Sequence, residues 1–243
     1  MKTYIGCSGY YYREWKGLFY PQDLPASKWL HYYAEHFNSI EINSTFYKAP
    51  TLKSLAKWYK DTPDEFAFTV KANKLFTHFR RMNNVADELT QFYDVVNEAL
   101  QEKVKCILYQ FPASVKYSQE LLDRILPLGE NPLLHAIEFR DISWWREEVY
   151  AQFKAAGLIF CNISLPDFPD LFVPNEQAGY LRFHGKPVLY KSGYGPEGLQ
   201  GWLNQLDAHP PKELIVYFNN TWYGEAIKDA KLMEAYLKEI TGA

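Results

Sequence analysis

The chain has 243 residues, 47% of them apolar and 17% aromatic, which is enough for a sizeable core and excludes a disordered or low-complexity protein. Its formal net charge of −3 gives no global field for a long nucleic-acid footprint, so anion binding has to come from a local patch. No apolar run approaches the roughly 18 residues that suggest a membrane span, and Gly6, Ser8 and Gly9 come too early for a signal peptide, so a cytoplasmic, intracellular protein with no membrane partner is expected.

Strand-like runs alternate with helix-like ones. A strand over 4–8 is followed by about twenty residues holding Tyr10, Tyr11, Tyr12, Trp15, Phe19 and Tyr20, long and aromatic for a connecting loop. Ser27 is expected to cap a helix whose apolar face carries Leu30, Tyr33, Ala34 and Phe37. Strand 39–43 precedes a helix opened by Thr51 with Leu52, Leu55, Ala56 and Tyr59 on one face, and strand 66–71 precedes a helix from about Asn84. Strands 106–110 and 135–140 follow, with helices near 119–126 and 146–156, then strand 158–163. The stretch 164–177 contains Pro166, Pro169 and Pro174 without helical periodicity, so this crossover is read as degenerate. Strand 180–184, a helix near 196–207, strand 214–219 and a helix over 225–240 complete the chain.

Eight strand-then-helix units with no linker-like stretch predict one α/β domain over 1–243: a single (β/α)8 TIM barrel with a degenerate sixth helix and a long aromatic first βα loop. Cys7, Cys106 and Cys161 lack CxxC spacing and lie in apolar runs, so they read as buried thiols; Cys7, near a strand end, is the one to watch for reactivity.

Because side chains alternate along a strand, Glu41 with Asn43, Glu138 with Arg140, and Arg182 with His184 are each expected to share a face. With Lys71, Gln110, Asn219 and Asn220 they fall on carboxyl ends of predicted strands, the end where active sites of this fold sit. The bland alternative is a set of structural ion pairs. So many stranded charges would consume the roughly 5–15 kcal/mol stability of a domain, which favours a paired, solvated ligand site. The aromatic first loop either walls that site or forms a satellite cluster on the outside. Two polar loops add cations: 72–83 with Lys74, Thr77, His78, Arg80 and Arg81, and 185–195 with Lys186, Tyr190, Lys191 and Tyr194.

The run from Ile5 to Tyr10 with Trp15, Gly17, Phe19, Tyr20 and Pro21, and the run from Phe37 to Tyr47, resemble the YecE-like family of TIM-barrel proteins, a domain family of unknown function. Lys71 with Thr77 and His78, Gln110-Phe111-Pro112, Glu138-Phe139-Arg140 with Ser143 and Trp144, Arg182-Phe183-His184-Gly185 with Tyr190, and Phe218-Asn219-Asn220 with Ala226 match its remaining blocks in order. Tyr10 stands where the family has Trp, and Asp141 where histidine is common. The resemblance implies the fold and leaves the reaction open.

The residues themselves suggest a hydrolase or lyase acting on a small anionic ligand, with phosphodiester cleavage in nucleic acid as a special case. Glu41, Glu138 and His184 are the expected catalytic acid–base groups. Asn43, Lys71, His78, Gln110, Arg140, Arg182, Tyr190, Asn219 and Asn220 are the expected substrate-binding groups, the arginines offering a planar fork for phosphate or carboxylate. The other classes are a non-catalytic sensor barrel and a sugar-modifying enzyme with paired carboxylates. No cofactor is expected. A divalent metal is disfavoured because no HxH or HExxH spacing occurs and two guanidinium groups beside Glu138 would repel it. Oligomeric state has no signature in the sequence.

Overall fold

A computed structural model describes residues 1–241. Eight strands, β1 (Lys2–Cys7), β2 (Ser39–Ile42), β3 (Ala67–Lys71), β4 (Val104–Gln110), β5 (Leu134–Glu138), β6 (Ile159–Ser164), β7 (Ala178–Phe183) and β8 (Glu213–Phe218), lie in the order β1-β8-β7-β6-β5-β4-β3-β2. The helices are α1 (Trp29–Ala34), α2 (Ser44–Tyr47), α3 (Leu52–Lys60), α4 (Ala86–Leu100), α5 (Gln119–Ile125), α6 (Glu147–Ala155), α7 (Gly195–Ala208) and α8 (Glu225–Thr241). The fold class is the (β/α)8, or TIM-barrel, plan. Residues 165–177 hold no helix, so the sixth crossover is degenerate as its prolines predict.

The chain divides into two compact units, one of Met1–Glu41 with Asn162–Ala243 and one of Ile42–Cys161. In the first, β8 is flanked by β1 and β7 in parallel register, Cys7 and Phe183 both opposite Phe218. Leu214, Ile215, Val216, Tyr217 and Phe218 are all fully buried, which is why β8 reads as a continuous apolar run rather than an alternating one. In the second unit β4 lies between β3 and β5, with Lys71 opposite Leu108 and Gln110 opposite Glu138.

Local sequence explains most element boundaries. Thr51 caps α3 with a capping box in which the Thr51 hydroxyl accepts from the Ser54 N–H and the Ser54 hydroxyl from the Thr51 N–H. Ser118 caps α5 in the simpler way. Ser27 does not cap: it lies inside a 3-10 turn, Ala26–Lys28, that leads into the shorter α1. Strand β2 ends at Ile42, and Asn43 already has helical φ and ψ ahead of α2, so the expected alternation of Glu41 with Asn43 stops one residue short.

The long first loop is a satellite cluster. Trp15 and Tyr20 are buried, Tyr20 stacks on Trp29 at 4.7 Å, and Phe19 packs against Tyr32, Tyr33, His36 and Phe37. The loop therefore covers α1 with its own core. All three cysteines are free and buried, and burial pushes the Cys7 thiol far above its usual range, so it is no thiolate. No helix among the described residues is long and apolar enough to cross a membrane.

Candidate functional site

In the unit built from the chain ends, Glu41 at the end of β2 is fully buried, yet every side of its carboxylate is occupied. Arg182 of β7 donates from Nη2 to Oε1 at 2.6 Å and from Nε to Oε2 at 2.9 Å. The Tyr180 hydroxyl donates to Oε2 at 2.6 Å and the Ser8 hydroxyl to Oε1 at 2.7 Å. Four donors around one carboxylate offset its desolvation, and the two-pronged arginine contact fixes both planes. Tyr180, Arg182 and His184 point the same way because they are two apart on a strand line, and Arg182 Nη1 lies 3.5 Å from His184 Nε2.

His184 is fully buried and its Nδ1 meets the Asn219 side-chain amide at 3.0 Å. Asn219 follows β8, so the imidazole is held between groups from two neighbouring strands, and its tautomer depends on which way that amide is turned. Tyr190 packs edge-on to His184 with ring centroids 6.2 Å apart, and its N–H donates to the His184 carbonyl. Asn220 serves a different end: its amide donates to Asp229 Oδ2 at 2.7 Å and to the Ser192 carbonyl. Asp229 also accepts the Tyr194 and Gly195 N–H groups at the start of α7, and burial raises its carboxyl above the usual value.

The second unit holds a row along three adjacent strand ends. Lys71 of β3 donates to Gln110 Oε1 of β4 at 3.0 Å, Gln110 is the register partner of Glu138 of β5, and Glu138 is paired through Oε1 with Arg140 Nε. The Glu138 carboxylate is buried while Arg140 retains 15% side-chain exposure, so the pair opens outward through its cation. Lys71 Nζ also lies 4.3 Å from the centre of the Phe46 ring, and that ring meets the His78 ring edge-on with centroids 4.9 Å apart. Burial first, then the charges of Lys71 and Lys74, depress the His78 pKa, keeping this imidazole neutral at pH 7. Its Nδ1 is within 2.9 Å of the Thr77 hydroxyl.

The expected residues thus fall into two groups: Glu41, Arg182, His184, Tyr190 and Asn219, with Asn220 turned to Asp229, in one unit; Lys71, His78, Gln110, Glu138 and Arg140 in the other. Asn43 belongs to the second unit, with its Oδ1 buried and unpartnered among the described residues. Sequence reasoning missed Ser8, Tyr180 and Phe46. The alternation that paired Arg182 with His184 extends back to Tyr180 and could have found it. Some cations of the predicted rim are already neutralised, Arg80 by Glu88 at 2.7 Å and Lys186 by Asp170 at 2.9 Å. Among the described residues no three His, Cys, Asp or Glu side chains come together as a metal site.

Comparison with known proteins places this chain in a family. Residues 4–242 match the family described as a protein of unknown function, DUF72. The chain belongs to the DUF72 family. It is 28% identical to the UPF0759 protein YunF of Bacillus subtilis across 95% of this chain and 93% of YunF. It is 33% identical to the UPF0759 protein YecE of Escherichia coli over 60 residues, 25% of this chain and 22% of YecE. A crystal structure of the DUF72 protein TM1631 from Thermotoga maritima superimposes with a TM-score of 0.86 at 30% identity, covering 98% of this chain and 100% of that one. The DUF72 protein EF0366 of Enterococcus faecalis, 19% identical, gives a TM-score of 0.78 over 97% of this chain and 95% of its own, which speaks to fold alone. None of these DUF72 or UPF0759 names carries an activity.

Proposed function

We propose that this DUF72 protein binds a small anion bearing phosphate or carboxylate and acts on it as a hydrolase or lyase by general acid–base catalysis. The reading is carried by one observation, the row Lys71, Gln110, Glu138 and Arg140 on three neighbouring strand ends, where two cations flank a carboxylate and an amide. Lys71 and Arg140 hold the anion, Gln110 orients it, and Glu138 exchanges the proton. His78, whose pKa is lowered by burial and then by Lys71 and Lys74, lies beside the row as a neutral imidazole able to hydrogen-bond the ligand.

In the other unit, Glu41 is a positioning residue rather than a proton carrier, because four donors occupy its oxygens and lock Arg182. His184, oriented by Asn219, is the acid–base candidate of that group. The expected partner is a small-molecule anion, the protein needs no cofactor for this chemistry, and its work is done in the cytoplasm.

The test is a thermal-shift and turnover panel of inorganic phosphate, sugar phosphates, nucleotides and sugar acids. A ligand at about 100 times its dissociation constant adds roughly 2.7 kcal/mol to stability, a readily measured rise in melting temperature. Lys71→Met should remove that rise, while Glu138→Gln should keep it and lose turnover. Full activity in Glu138→Gln sinks the acid–base role; no response to any anion sinks the binding site.

A further inference from the structure

Between β3 and α4 the chain forms a π-helical turn, Leu75–Phe79, followed by three non-glycine residues in the left-handed region: Arg81 at φ 47°, Met82 at 60° and Asn84 at 49°. π-turns and left-handed side chains both carry a conformational cost and gather at functional sites. The loop is nonetheless tied down. Met82 is buried and its N–H donates to the Phe76 carbonyl at 2.8 Å, and Arg80 bonds the Asn84 carbonyl and Glu88.

What this fixed loop holds outward is Phe79, 69% exposed, with exposed Arg81 two residues further along the chain. Tyr47, at the end of α2, is 72% exposed and followed by exposed Lys48. Lys74 stands between the two rings, its Nζ 5.8 Å from the centre of Tyr47 and 5.4 Å from that of Phe79. Beside Phe79 opens a cavity of about 470 Å³, lined by Pro50, Phe76, Phe79, Gln91 and Phe92 together with Glu88, whose carboxylate is paired with Arg80 at 2.7 Å. It is large enough to receive a planar ring. Two exposed aromatic faces, a cation between them and an apolar cleft alongside match neither a folding core nor a solvated face.

We infer that this surface binds single-stranded nucleic acid, with bases stacking on Tyr47 and Phe79, a base entering the cleft, and phosphates held by Lys74, Lys48 and Arg81. Stacking needs only a π face, so the contact is tolerant of sequence, and the local cations supply the backbone attraction that the net charge of −3 does not. The inference is independent of turnover at the Lys71 to Arg140 row.

Fluorescence anisotropy of the whole protein with labelled oligo(dT) tests it, with duplex DNA, inorganic polyphosphate and an acidic peptide as competitors. The single strand should bind, its log affinity falling with log salt. Tyr47→Ala and Phe79→Ala should each weaken binding about tenfold without moving the melting temperature, and Lys74→Ala should flatten the salt slope by about 0.7. Absence of binding at low salt, unchanged affinity in the Tyr47→Ala, Phe79→Ala double variant, or equal competition by polyphosphate or by the acidic peptide overturns it. Glu138→Gln should leave the oligonucleotide affinity intact; loss there instead would tie binding to the row and overturn a separate stacking surface.

Discussion

Arg182 approaches Glu41 with two nitrogens, Nη2 to Oε1 at 2.6 Å and Nε to Oε2 at 2.9 Å, and neither side chain has more than 1% exposure. Removing one member leaves the other charged and buried, which costs roughly 3–5 kcal/mol. Arg182→Ala should therefore lose about that much in urea unfolding. Arg182→Met combined with Glu41→Gln should recover part of it, because both charges go together. Equal loss in the single and double variants would mean that packing, not charge, dominates the site.

His135 gives a pH dependence of known sign. Burial lowers its pKa from 6.5 to about 4; its Nε2 lies 3.1 Å from the Tyr93 hydroxyl, and that hydroxyl lies 2.6 Å from the Tyr109 hydroxyl. Between these values the unfolded chain binds a proton that the native imidazole refuses, so stability rises with pH through the window. It is fully present above about pH 6.5, declines as pH falls, and levels off below about pH 4, a total of about 3 kcal/mol. The difference between the native protein and His135→Leu, measured by urea unfolding at several pH values, isolates this contribution from the carboxylates that titrate nearby. A difference independent of pH would remove His135 as the cause.

Gly6 illustrates why the first block of the chain reads as it does. A Cβ placed there would press into the Ser39 carbonyl and the Tyr33 hydroxyl, the latter already donating to the Ser39 carbonyl. Gly6→Ala should cost about 3 kcal/mol, the upper range for overpacking, since backbone has to yield. Gly201→Ala is the matched control. It lies inside α7 with open space around it and should gain about 1 kcal/mol.

The cysteines should behave as packing residues. Cys7, Cys106 and Cys161 have no exposed surface, and Cys7 carries a strongly raised pKa. A thiol reagent at neutral pH should label none of them in the native state and all of them in denaturant. Rapid native labelling of Cys7 would show that its strand end opens.

Strand positions were legible because β-rich apolar runs ended in polar residues two apart, as at Glu138 and Arg140, which the structure pairs. Thr51 was legible because a capping box is a local signal. Ser27 was misread because a capping residue type says nothing about whether the next turn closes as α or 3-10. The π-helical turn had no signature at all, since one added residue in a turn leaves hydrophobic spacing almost unchanged. Partners of Glu41 could not be ranked from sequence, because Ser8 and Tyr180 meet it across 33 and 139 residues. The aromatic loop was ambiguous for the same reason: its composition fits a wall and a cluster equally, and only the stack of Tyr20 on Trp29 decides between them.

The unit containing Glu41 is assembled from the two ends of the chain, which constrains its birth on the ribosome. Arg182 is synthesised 141 residues after Glu41, and β1 waits for its ladder partner β8. At about 5–20 residues per second, that interval is on the order of ten seconds. During it Glu41 does not yet have Arg182 to meet, so the segment holding β1 and Glu41 is held out of its final packing until Arg182 and β8 have been made, and a nascent-chain binder has a predictable stretch of apolar strand to shield.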